Sequence, residues 1–177
     1  MKRIVLIFGS ILGVLLSINL VIMMYLCYSD PNFIPSMWLG YLVILVMLST
    51  VFFGIKNYRD KGLNNNLSLG KAFKTGALIA FVGATIYVIV WLFMYYLYVP
   101  DFMDKFSAKE LTQAINDGKP AAEIDKMKAD TETYKEMYKS PVWVVVLTYL
   151  EILPLALVVA FISALILKRK AISNDQI

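Results

Sequence analysis

Apolar residues fall in four long blocks, 4–28, 37–55, 72–99 and 142–167. Each is close to or beyond the ~20 residues a helix needs to cross the hydrocarbon core of a bilayer. Polar residues gather between them in three places of unequal size. There is a short turn, SDPNFIPS, then a basic connection rich in Asn and Gly, then a long excursion over 101–140. The pattern predicts an all-α polytopic membrane protein: four transmembrane helices forming one membrane domain over 1–177, with a helical hairpin in the external loop between helices 3 and 4.

The excursion carries its own helical signals. Ser107 followed by Glu110 reads as a capping box that starts a short helix with Leu111 and Ile115 on one face. Asn116-Asp117-Gly118 stops it, and Pro120 suits the first turn of a second helix. There Ile124, Met127, Thr131, Tyr134 and Tyr138 recur at three and four residues, a narrow apolar seam. About 40 residues bury too little to fold as an independent domain.

Composition sharpens the class. The chain is 59% hydrophobic with mean hydropathy +0.67, against about 45–50% apolar in soluble domains. The first block follows Lys2 and Arg3, yet it is about twice the usual 7–15 apolar residues of a leader and lacks a small-x-small cleavage site, so it reads as a span. Cys27 is the one cysteine, which excludes an intrachain disulfide.

Charge orients the spans. Lys2, Arg3, Lys56, Arg59, Lys61, Lys71, Lys74, Lys168, Arg169 and Lys170 all fall on one side. The other side has Asp30 and a loop in which nine acids outnumber seven lysines. The cationic side is expected to be cytoplasmic, with both termini inside and 101–140 external. The net charge of +4 is then a topology signal, and nucleic acid is not an expected partner.

Small residues mark where helices approach closely. Gly9, Gly13 and Ser17 form one stripe, Gly76, Ala80 and Ala84 a second, and Ala156, Ala160 and Ala164 a third. Aromatics crowd the helix ends away from the lysines, as in WLFMYYLYVPDF. Tyr25-Leu26-Cys27-Tyr28, Pro31, Phe33 and Trp38 also echo Tyr96-Leu97-Tyr98, Pro100, Phe102 and Trp143. That echo fits either two duplicated hairpins or the general gathering of such residues at helix ends.

Three stretches carry a resemblance. They are GIKNYRDK over 54–61 with SLGKAFKTG over 68–76, Glu151-Ile152-Leu153-Pro154, and the KRK end. Together they resemble an uncharacterised bacterial family, domain of unknown function 4199, found mainly in Bacteroidota. The resemblance implies a small four-span inner-membrane protein and brings no assigned activity or site residues.

One acid stands inside a long apolar run: Glu151, with Pro154 three residues on. A charge at the centre of a span costs about 2.5–3.5 kcal/mol on the insertion scale, and Leu, Ile, Val and Phe return about 0.3–0.6 each. Seventeen such residues share its segment, so the helix inserts regardless. Asn19, 16 residues from Arg3 as Glu151 is 17 from Lys168, is the best candidate partner at matching height. A neutral carboxylic acid there can donate a hydrogen bond. Glu151, Asn19 and Pro154 are therefore the candidate polar site, expected to face the bundle interior. On an ideal helix the Ala156 stripe points nearly opposite Glu151, so either both faces pack or Pro154 redirects the helix.

Catalysis has little to work with. There is no histidine, hence no imidazole base or metal ligand, and no phosphate loop, nucleophile elbow or paired carboxylates. The expectation is a non-enzymatic membrane protein without cofactor or metal, an accessory, assembly or envelope-interaction factor. Its expected partners are the lipid bilayer and either a membrane protein or further copies of itself. The alternative is a small transporter or channel subunit oligomerising around Glu151.

Overall fold

The computed structural model describes residues 1–30, 33, 37–62 and 67–168. Pro31 and Pro35, the Asn64–Asn66 run, and Arg169 and Lys170 lie outside the described residues. The described chain forms helices α1 (Lys2–Ser29), α2 (Met37–Gly62), α3 (Leu69–Leu97), α4 (Phe102–Asn116), α5 (Ala121–Tyr138) and α6 (Pro141–Leu167). Of these, α1, α2, α3 and α6 are long and apolar enough to cross a membrane.

The main departure in length is α2, which runs two turns past its apolar block to Gly62. No proline interrupts that stretch, and Arg59 and Lys61 sit in its last turn, where cations offset the negative end of the helix dipole.

Contacts divide the chain into two units, Met1–Val88 with Tyr149–Ile177, and Ile89–Thr148. The first unit is built on small residues. A Cβ added at Gly9 would lie 2.7 Å from Val82, and one at Gly13 would lie 2.6 Å from Ile86. Gly83 of α3 returns the fit, since a Cβ there would meet Leu12 at 2.8 Å. Gly76 faces both Ile55 of α2 and Ala160 of α6, at 2.8 and 2.9 Å from a virtual Cβ. Ala80, Ala84, Ala156, Ala160 and Ala164 are all buried, around Leu12, Leu48, Val51, Ile79 and Ile152. Large aliphatics such as Leu6, Ile11, Val14, Val46 and Ile166 point outward instead. Bulk outside and small residues inside is compatible with helices that cross a membrane, where close backbone approach holds neighbours together.

The second unit gathers aromatics. Trp91 meets Phe102 edge-on at 5.0 Å, Phe102 stacks on Phe106 at 5.4 Å, and Tyr95 meets Tyr138 edge-on at 5.4 Å. These contacts draw the start of α4 back to Phe102, five residues before the serine expected to cap it. The capping box does not form. Ser107 lies inside α4, buried, and its hydroxyl donates to the Met103 carbonyl one turn back, the alternative bond open to a helical serine. The buried side of α4 runs through Ser107 and Ala114, and Ile115 is 58% exposed. Glu110 is partly buried beside it. Its carboxyl is pushed above the ordinary range by burial, and nearby Lys119 opposes that shift.

Gly118, at φ 69°, ends α4 in the left-handed conformation that favours glycine. The Lys119 amide then reaches back to the Ala114 carbonyl at 3.0 Å. Pro120 caps α5, and α4 and α5 pack on one another. The seam on α5 is half right. Ile124, Met127, Thr131 and Tyr138 are half-buried, but Tyr134 is 49% exposed. Lys135 takes the inner position next to it and pairs with Asp104 of α4 at 2.9 Å. A lysine stem covers apolar surface while its ammonium reaches a carboxylate, which a count of apolar residues misses.

No residue of α5 is fully buried, so its hold on α4 is slight. Each half-buried seam residue contributes about 1 kcal/mol, half the value of a fully buried one. Ile124→Asp combined with Tyr138→Asp should therefore speed proteolytic cleavage within 121–138 roughly tenfold or more. Lys126→Asp with Thr133→Asp, on the exposed side, should leave the rate near that of the parent. Limited proteolysis of the inserted protein reads both, and equal rates for the two pairs would dissolve the seam.

Candidate functional site

The site is built on α6. With 100° between successive residues, Ile152, Ala156, Ala160 and Ala164 fall within about 120° of one another on one face, and all are buried. Leu150, Glu151, Pro154, Val158, Phe161 and Ile162 fall on the other, and all are exposed. Of the two geometries left open by the sequence, neither operates. The alanine face alone packs, and Glu151 points away from the bundle.

This corrects the expected pairing. Asn19 is half-buried on α1, and the side chains of Glu151 and Asn19 make no hydrogen bond to each other. Among the described residues the Glu151 carboxyl has no hydrogen-bond or ion-pair partner at all. The reason is volume: only residues as small as alanine fit against Gly76 and its neighbours, so the alanine stripe takes the interior and carries Glu151 to the opposite side.

Pro154 shares that outward face. It continues α6 without breaking it, but its ring nitrogen has no proton, so the Leu150 carbonyl loses its amide donor. Glu151 thus stands one residue on from a carbonyl whose usual donor four residues ahead is missing, on the exposed surface. The helix is 27 residues long, ~40 Å against a hydrocarbon core of about 30 Å. Glu151 lies 10 residues from Pro141 and 17 from Lys168, or ~15 and ~25 Å.

Inside the unit the structure brings together a polar pair that the sequence reading passed over. The Thr85 hydroxyl donates to the Phe81 carbonyl at 2.7 Å and lies 2.8 Å from the Tyr149 hydroxyl. With the threonine proton committed, Tyr149 is the donor to Thr85. Tyr149 also stacks on Phe81 at 5.9 Å, so α3 and α6 are joined here by a hydrogen bond and a ring contact, and Phe73 meets Phe161 edge-on at 5.9 Å as a second ring pair between them. The only signal in the sequence was a lone threonine amid aliphatics opposite a tyrosine, and an acid two residues away drew the attention.

A buried hydroxyl fares worse. Ser17 is 9% exposed, and its oxygen has no hydrogen-bond partner among the described residues. Its place in the Gly9–Gly13 stripe follows from size, since an unpaired buried hydroxyl costs about 1–3 kcal/mol. Among the described residues, no three His, Cys, Asp or Glu side chains converge as a metal site would need.

The site presents a carboxyl on an exposed, otherwise apolar helix face. No curated protein and no solved structure matches the chain. A match over residues 7–169 to the family described as "Protein of unknown function (DUF4199)" covers all four long apolar helices but the first residues of α1, and the chain belongs to that family.

Proposed function

We propose that this is a non-enzymatic integral protein of a bacterial inner membrane, an accessory or assembly factor that works by lateral association through α6. Both termini are cytoplasmic, and α4 and α5 form a helical hairpin on the periplasmic side. The observation that carries the reading is Glu151, an acid on the exposed face of an apolar helix with no partner among the described residues. Left against lipid it costs about 2.5–3.5 kcal/mol. A second helix laid over that face removes the exposure and supplies a hydrogen-bond partner, and intramembrane ionisable residues are functional by default.

Association is read by a photocrosslinking side chain placed at Leu150, beside Glu151, and at Val14, on the exposed face of α1. The Leu150 position should give a defined crosslinked species in intact cells, and Val14 should give none. Glu151→Gln, which keeps the hydrogen bonding, should retain the species, whereas Glu151→Leu should lose it. Crosslinking that is absent or equal at both positions would sink the reading.

A second reading has the same face joining copies of the chain into a proton or cation pathway. It is favoured by the outward position of Glu151, which would line a seam between copies. Flux in liposomes that is lost in both Glu151→Gln and Glu151→Leu would establish it in place of the first.

A further inference from the structure

At the lysine-rich end of the first unit, an open cleft of about 270 Å³ runs along α2 beside Phe8 of α1, lined by Phe8, Phe53, Lys56, Asn57, Asp60 and Lys61. We propose that this cleft binds the headgroup of an anionic phospholipid, with Lys56 and Lys61 on the phosphate, Asn57 on the ester carbonyls, and the two phenylalanines against the first methylenes of the acyl chains.

The lining is ordered along α2 as a phospholipid is ordered along the membrane normal. Phe53 comes first, then Lys56 and Asn57 one turn on, then Asp60 and Lys61 a further turn on. Eight residues of helix cover ~12 Å. One interfacial layer of a bilayer is about 5–8 Å thick, so the stretch runs from the hydrocarbon edge through the headgroups. Gly54 lets the floor close. A Cβ there would stand 3.1 Å from the Phe8 side chain and 2.5 Å from Ile79.

Charge in the cleft is positive after pairing. Arg59 holds Asp60 at 2.7 Å, so the one acid in the lining is already compensated. Lys56 and Lys61 have no acidic partner among the described residues. The amino-terminal end of α1 and the carboxy-terminal end of α2 meet here, so their dipoles offset and the lysines decide the sign. A soluble phosphate would meet the same cations but leave the phenyl floor wet, with Phe53 55% exposed. A lipid covers both.

The test uses full-length protein in nanodiscs of equal phosphatidylglycerol and phosphatidylcholine with identical acyl chains. Lipid carried through gentle extraction is counted by native mass spectrometry. Each basic residue at a charged surface contributes enough for about a fivefold preference, so the parent should retain phosphatidylglycerol on the order of tenfold over phosphatidylcholine. Lys56→Gln with Lys61→Gln should abolish the preference, and Lys56→Arg with Lys61→Arg should keep it. Lys71→Gln with Lys74→Gln, basic residues outside the cleft, should keep it as well. No preference in the parent would overturn the proposal, as would equal loss in the 56/61 and 71/74 glutamine pairs, which means a diffuse surface effect. Displacement by millimolar inorganic phosphate would overturn it in favour of a soluble anion.

Discussion

Adding a single methyl group at Gly13 should destabilise the protein, while adding one at Gly40 should not. A Cβ at Gly13 would stand 2.6 Å from the Ile86 Cβ and within 3.0 Å of two more of its carbons. Ile86 is branched at that carbon and has few rotamers to retreat into, so α1 and α3 must separate. Overpacking of this kind costs about 1–3 kcal/mol. Against it stands a gain of up to ~1 kcal/mol for alanine over glycine within a helix. Gly40 has nothing within 4 Å of its virtual Cβ, so only the gain operates there. Gly13→Ala should lower, and Gly40→Ala hold or raise, the midpoint of unfolding in detergent. Gly13→Val should lower it further, since it keeps the clash and adds two methyls. A shift of the same sign at Gly13 and Gly40 would mean that the α1–α3 approach is looser than the structure has it.

The second large effect is one of sidedness, and its outcome is all or none. With Cys27 replaced by Ser, single cysteines at Lys2 and Lys61 should resist an impermeant thiol reagent in cells whose outer membrane alone has been opened. A cysteine at Ala122, exposed on α5, should react to completion. Ala122 is a better reporter than the adjacent turn, because a cysteine at Gly118 would have to adopt φ 69°, which side chains avoid. The motive is that ten of the seventeen lysines and arginines flank one end of the four apolar helices, while the seven loop lysines at the other end are outnumbered by nine acids. Labelling at Lys61 with protection at Ala122 would invert the orientation and place the phospholipid cleft on the opposite leaflet.

Helix number and type were legible because block length alone carries them. Twenty or more apolar residues in a row have one common solution in a membrane, where the backbone must satisfy itself. Which face of each helix packs was only half legible. On α1 the glycines at 9 and 13 marked the packed side, since nothing but close approach explains two glycines a turn apart in a helix. On α6 polarity and size pointed to opposite faces. Polarity places Glu151 inward, as in the core of a polar channel, whereas the packing follows volume. In α4 and α5 the errors run the other way. Ser107 and Lys135 took inner positions that their polarity argues against, one by returning its hydroxyl to its own helix and the other by reaching Asp104 with a long stem. Neither bond has a signature in spacing, because each depends on a neighbour that only the folded chain supplies.

The two faces of α6 make this one helix answer to two separate selections. Changes along Ala156, Ala160 and Ala164 alter how much intact protein there is, because they alter whether α3 and α6 can meet. On the proposed reading, changes at Glu151 or Pro154 should leave the amount alone and alter what the protein is found beside. A collection of random α6 variants, sorted first by abundance and then by neighbours, should therefore separate into two classes offset by about half a turn of the helix. Such a map would locate the working surface of the protein without knowledge of its task.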